Sequence, residues 1–166
     1  MIKCIFISVL LVFTFTAYAD SITQKAENDE LSFIPDDDPD MAKAMIHAKS
    51  TLSEFLALKA KPTDTQQNFS IKIAIVDGDN KEFFWIGRFQ EVSSGNYIGT
   101  LDNEPRTVKN VTNGQQINFK KDDIVDWLYI ENGNMKGNFT ACALLKREPV
   151  ADQEEFKRAY GLECEF

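Results

Sequence analysis

Phe69-Ser70-Ile71-Lys72-Ile73-Ala74-Ile75, followed at once by Asp77-Gly78-Asp79-Asn80, decides the fold of this chain. Phe69, Ile71, Ile73 and Ile75 alternate with Ser70, Lys72 and Ala74, so the apolar side chains share one face of an extended strand. The Asp-Gly step that follows tolerates the positive φ a tight hairpin requires. The chain therefore reverses, and a second strand is predicted from about Glu82 to Gln90.

The same logic extends downstream. Ser94-Gly95 predicts another turn and Asn96 to Leu101 a third strand. A loop is expected from Asp102 to Gly114, with Pro105 and Asn113-Gly114 inside it, and then a short strand at Gln115 to Phe119. Ile124 to Ile130 reads as a strong strand, Asn132-Gly133 as a tight turn, and Lys136 to Leu145 as its partner. After Pro149, Asp152 to Tyr160 is expected to form a short helix.

Upstream, the period changes. Met41, Ala44, Met45, Ala48, Leu52, Phe55 and Leu56 recur three and four residues apart, the spacing of a helix with one apolar stripe. Asp36-Asp37-Asp38-Pro39-Asp40 starts it with an aspartate cap, proline at the first helical position and negative charge near the positive end of the helix dipole. Pro62 stops it soon after Lys59. The predicted class is α+β: one N-terminal amphipathic helix packed on a curved, mostly antiparallel sheet of five to six strands, with a short C-terminal helix.

The first nineteen residues have a different character. A basic start at Lys3, an apolar run from Cys4 to Phe15, and Ala17-Tyr18-Ala19 form the three parts of a secretory signal peptide. The run is shorter than the roughly 20 residues a membrane-spanning helix needs, so cleavage after Ala19 is expected and no membrane span is predicted thereafter. Residues 20–36 read as a flexible leader and 37–166 as one domain. The predicted location is the periplasm or the extracellular medium. In such a compartment the two remaining cysteines, Cys142 and Cys164, are expected to form a disulfide; the alternative is a buried Cys142 and a free Cys164.

Composition excludes several functions. With 26 acidic against 18 basic residues and a net charge of −8, the chain repels phosphate backbones, and no basic stripe marks a nucleic-acid site. The acidity suits a basic protein partner. The single histidine, His47, lies beside the helix stripe and is expected to face solvent. One histidine and two cysteines do not make a zinc centre, which takes three or four such ligands, and the aspartates lack calcium-loop spacing. No phosphate loop or dinucleotide fingerprint is present, so neither metal nor cofactor is predicted.

Four stretches together resemble the YegJ-like family of bacterial proteins, a domain of unknown function. They are Glu82-Phe83-Phe84-Trp85-Ile86, Gly99-Thr100-Leu101-Asp102-Asn103-Glu104-Pro105, Ile124-Val125-Asp126-Trp127-Leu128-Tyr129 and Gly137-Asn138-Phe139-Thr140, spread over roughly Met41 to Leu145. In the family pattern a histidine follows the glutamate and a second glycine follows the first. This chain has Phe83 and Asn138 there, so it lacks an acid–base group at the first of these places. The resemblance implies a fold family and no established activity.

Candidate chemistry centres on Asp126. By strict alternation it shares a face with Ile124, Leu128 and Ile130, while Val125, Trp127 and Tyr129 point the other way. If the aliphatic face is the core, Asp126 is a buried carboxylate that needs donors, from Arg106 or from the backbone of the Asp102–Gly114 loop, which it would pin. A binding or catalytic role is the alternative, as is simple exposure. Glu82 with Asp126 could form the carboxylate pair of a glycosidase. Trp85, Asn103, Arg106, Asp126, Trp127 and Tyr129 are the candidate binding residues, although aromatics on strands usually fill the core. A non-catalytic protein-binding module is expected, with an immunity-like inhibitor of a periplasmic toxin as its specific form. The competing expectations are a cell-wall or glycan hydrolase and a structural envelope protein.

Overall fold

The computed structural model describes residues 38–164. The predicted signal peptide and the whole of the predicted leader, 20–36, lie outside the described residues. Helix α1 (Pro39–Ala60) opens with Asp38, whose Oδ1 accepts the Met41 amide at 2.8 Å. There follow β1 (Gln66–Asp77), β2 (Asn80–Ser93), β3 (Asn96–Leu101) and β4 (Gln116–Lys120), then a 3-10 turn at Lys121–Asp123, β5 (Ile124–Glu131) and β6 (Asn134–Gly137). Helices α2 (Phe139–Leu145) and α3 (Val150–Tyr160) close the chain. The six strands form one sheet in the order β4-β3-β2-β1-β5-β6, every neighbouring pair antiparallel.

Only Lys121–Asp123 separate β4 from β5, although three strands stand between them in the sheet. In a flat sheet those strands would be about 19 Å apart, while the short connection reaches about 14 Å. The sheet must therefore curl. The turn lies against α1, with Lys121 Nζ 3.3 Å from Ser53 Oγ and Lys49 Nζ 3.4 Å from the Asp122 carbonyl.

The concave face holds the core. Ala44, Ala48, Leu52 and Phe55 of α1 are buried against Ile71, Ile73, Phe84, Ile86, Phe89, Leu101, Ile124 and Trp127. The Trp127 indole N–H donates to the Ala48 carbonyl at 3.0 Å, and its ring stacks on Phe55 at 4.9 Å. Tyr129 stacks on Phe69 at 5.1 Å. Trp127 and Tyr129, candidate binding residues by sequence, are core residues, as aromatics on strands usually are. The aliphatic residues of β5 are not a second core: Leu128 and Ile130 are only half-buried.

The predicted strand from Lys136 to Leu145 is corrected. β6 ends at Gly137, and Phe139–Leu145 is helical. Gly137 (φ 79°) and Asn138 (φ 54°) are both left-handed, which turns the chain out of the ladder. A Cβ at Gly137 would stand 2.2 Å from the Trp127 carbonyl oxygen, so no other residue fits. His47 is half-buried rather than solvent-facing, with its ring 4.6 Å from and edge-on to that of Phe139.

Cys142 of α2 and Cys164 form the expected disulfide, with Cα atoms 5.6 Å apart. It closes a second, smaller apolar cluster of Cys142, Leu145, Phe156 and Leu162. Leu162 bridges to Met135, so the tail caps the β6 edge of the sheet.

Candidate functional site

A bulge sets the position of Asp126. The register runs Ile71↔Trp127, Lys72↔Asp126 and Ile73↔Ile124, with a shift between the last two. Ile124 and Trp127, three residues apart, thus both reach the core, and Asp126 is placed on the convex face beside Lys72. Asp126 is 0% exposed. Its Oδ1 accepts the amides of Trp127 (2.8 Å) and Phe139 (3.3 Å), and its Oδ2 accepts the amide and hydroxyl of Thr140 (2.9 and 2.6 Å). Burial pushes the carboxyl up, against an opposite pull from Lys72, Thr140 and Trp127. Asp126 is the anchor for the first turn of α2. It does not hold the Asp102–Gly114 loop, and Arg106 is not among its donors.

Thr140 passes the contact outward. Its hydroxyl donates to Asp126 and accepts from Lys72 Nζ at 2.6 Å. The Lys72 ammonium also lies 4.4 Å from the centroid of the Trp85 ring, the residue opposite it on β2. Two residues along β2, Lys81 Nζ lies 5.0 Å from the Phe83 centroid. Contacts of this kind contribute about 0.5–1 kcal/mol at exposed sites. On this convex stretch β1 presents Ser70, Lys72, Ala74 and Val76, and β2 presents Lys81, Phe83, Trp85 and Gly87; none of these residues is buried. Val76 is 60% exposed.

The loop is held by Glu82 instead. The Glu82 carboxylate accepts the amides of Arg106 (3.0 Å), Thr107 (3.0 Å) and Val108 (3.2 Å) and the Thr107 hydroxyl (3.1 Å). Burial tends to raise its pKa, but the Thr107, Arg106 and Val108 bonds outweigh that and bring it below the ordinary value. Asp77 adds a bond from the Lys109 amide at 2.8 Å, and Asn103 accepts the Trp85 amide at 2.8 Å. Arg106 is exposed, and its backbone makes the contact with Glu82.

Glu82 and Asp126 are not brought together. Glu82 alternates in phase with the core residues Phe84 and Ile86, whereas Asp126 lies in phase with Lys72 and Trp85. The two carboxylates occupy opposite faces of the sheet, and each is occupied by backbone donors. Of the predicted binding residues, Trp85 stands on the open face, with Asn103 behind its amide. A shallow depression of about 340 Å³ at the β3–β4 edge, flanked by Val92, Tyr97, Phe119 and Asp123, is lined by none of them. Among the described residues no cluster of three or more metal-ligating side chains occurs, and no helix is long and apolar enough to cross a membrane.

Lys72 and Thr140 were absent from the sequence-derived candidates. Lys72 was recoverable: the two-residue turn at Gly78-Asp79 fixes the register, which places Lys72 opposite Trp85. Thr140 was hidden inside a segment read as strand.

The fold defines a class, an α+β domain with one helix in the concavity of a six-stranded antiparallel sheet and a disulfide-tied tail. More particularly, the chain belongs to the bacterial family described as "Uncharacterized protein conserved in bacteria (DUF2314)", which matches residues 38–164. It is 33% identical over 118 residues to the uncharacterized protein YegJ of Escherichia coli, covering 70% of this chain and 74% of that protein. It is 34% identical over 88 residues to a Neisseria meningitidis protein that carries an ankyrin-repeat name, covering 52% of this chain and 34% of that protein. No solved structure matches.

Proposed function

We propose that this protein is an exported, non-catalytic protein-binding module of the bacterial envelope, of the kind that protects the periplasm by holding an imported toxin inactive. The observation that carries this is the use made of its two candidate catalytic carboxylates. Glu82 is consumed by a loop and Asp126 by a helix terminus, on opposite faces of the sheet. A hydrolase with two carboxyls flanking one bond needs them on a common surface, about 5–10 Å apart. The convex β1–β2 face, by contrast, keeps two aromatic rings partly open to solvent.

Export is supported by the apolar leader with its Ala17-Tyr18-Ala19 cleavage pattern and by the Cys142–Cys164 bridge, which an oxidising compartment sustains. The signal peptide would leave after Ala19, and 20–36 would remain as a leader to the domain.

Affinity capture of the intact mature protein from periplasmic extract, with the product of any neighbouring toxin gene as the named candidate, tests the proposal. A stoichiometric complex that suppresses the toxin's activity is expected. Turnover of peptidoglycan or a glycan panel, abolished by both Glu82→Gln and Asp126→Asn in folded protein, would replace it with the hydrolase.

A further inference from the structure

The sequence contains two Asn-Gly steps, Asn113-Gly114 and Asn132-Gly133. Such a step cyclises when the glycine nitrogen reaches the asparagine Cγ, an approach that the missing glycine Cβ leaves open. All of these residues are exposed, but the structure holds the two steps differently.

At Asn113-Gly114 both reacting groups are engaged. The Gly114 amide donates to the Leu101 carbonyl at 2.8 Å, and Asn113 Nδ2 donates to Glu104 Oε1 at 3.0 Å. Cyclisation there must first break both bonds. At Asn132-Gly133 the reacting groups lie outside the ladder. The β5–β6 register closes on Glu131↔Asn134, so the Gly133 amide belongs to the loop. Asn132 is tied through its backbone amide, which donates to the Thr65 carbonyl at 3.1 Å, while its side chain stands in solvent. A Cβ built on Gly133 would meet nothing within 4 Å, so the space around the nucleophile is open. The Asp77-Gly78 step offers only a carboxylate, a poor electrophile, and its Oδ2 accepts the Lys109 amide at 2.8 Å.

We infer that Asn132 is a site of spontaneous modification in the folded protein and that Asn113 is protected from it. The Gly133 nitrogen loses its proton to hydroxide and bonds to the Asn132 Cγ, and Nδ2 leaves as ammonia. Water then opens the succinimide. Cleavage of the Cγ–N bond restores the main chain with an aspartate at position 132. Cleavage at the main-chain carbonyl gives isoaspartate, with the backbone routed through the side chain. Both products add a negative charge beside Glu131. Isoaspartate also adds a methylene to a two-residue loop, and the Glu131↔Asn134 register depends on that length. The strand after this turn carries the tail: the Met135 amide donates to the Gly161 carbonyl at 2.9 Å, and Met135 bridges to Leu162. Modification at position 132 therefore loosens β6 and the tail, while β1 to β5 stay paired.

The test holds the intact mature protein in warm, mildly alkaline buffer for weeks and follows each asparagine by peptide mapping, with fragmentation that separates aspartate from isoaspartate. Conversion at position 132 should run several-fold ahead of position 113. In urea the two positions should convert at similar rates, because only the fold distinguishes them. Glu104→Ala should speed conversion at position 113 and leave position 132 unchanged. Hydrogen exchange at Met135 and Lys136 should be faster in the purified isoaspartate form than in Asn132→Asp, which has the added charge on an ordinary backbone. Folded protein that converts no faster at 132 than at 113, or that keeps position 132 intact after the unfolded protein has converted, would overturn the assignment. Unchanged exchange in the isoaspartate form would overturn the effect on β6.

Discussion

Replacing Asp126 with alanine should cost more than any other single change to the polar framework. The variant leaves the amides of Trp127, Phe139 and Thr140 and the Thr140 hydroxyl without their acceptor, and leaves Lys72 without its counter-charge. An unsatisfied buried donor costs about 1–3 kcal/mol, and because Lys72 is only half-buried its lost counter-charge adds less than the roughly 3–5 kcal/mol of a fully buried pair. These penalties overlap, and desolvation of the carboxylate offsets part of them, so a loss of about 3–5 kcal/mol is expected. Against a domain stability of about 5–15 kcal/mol, that is a large drop in the urea midpoint. Asp126→Asn keeps the shape and should lose less, about 1–3 kcal/mol. Its pH dependence is informative. Burial raises the folded-state pKa above the ordinary 3.8. The stability this group contributes is therefore full below the unfolded value and is lost as pH rises through the folded value. The deficit of Asp126→Asn relative to wild type should be largest in acid and should shrink toward neutrality. An unchanged midpoint for the alanine variant, or an asparagine deficit that grows with pH, would refute the reasoning.

Glu82 should behave with the opposite sign. Its folded pKa lies below the ordinary value, so its contribution is present above the unfolded pKa and disappears as pH falls through the folded one. Hydrogen exchange at Arg106 to Val108 should accelerate in acid and in Glu82→Gln, while exchange in β1 stays slow; equal acceleration of both would contradict the anchoring role. Gly137→Ala forces a Cβ to 2.2 Å from the Trp127 carbonyl at φ 79°, and thermal melts should show a loss of at least about 3 kcal/mol. Replacing both Cys142 and Cys164 with serine removes a closure of 22 residues, worth about 3 kcal/mol in the chain-entropy model. Limited trypsin digestion should then cut at Lys157 or Arg158 first and leave the sheet intact, whereas simultaneous loss of the whole domain would show that the second cluster is not a separate unit.

Much of this architecture was legible because it is written locally. The aspartate–proline start of α1 and the Gly78-Asp79 and Asn132-Gly133 turns depend on a few adjacent residues, and the helix and hairpins fall where those residues place them. Asp126 could be singled out because a carboxylate among apolar strand residues must find donors. Its partners could not, for two reasons. The bulge at Asp126 puts Ile124 and Trp127 on one face at a spacing of three, which strict alternation assigns to opposite faces. Its donors also come from Phe139 and Thr140, in a run whose apolar residues suited a strand until Gly137-Asn138 is recognised as a left-handed exit. Glu82 anchors the loop through backbone amides some 24 residues away, a long-range contact that sequence spacing does not encode.

The most direct measurement is photo-cross-linking in the native host, with a photoreactive residue at Phe83 on the convex face and, in a second variant, at Val92 beside the β3–β4 edge. A recognition surface on β1 and β2 predicts one discrete protein adduct from position 83 and none from position 92. Adducts from position 92 alone, or none from either while the protein turns over a wall glycan, would contradict it.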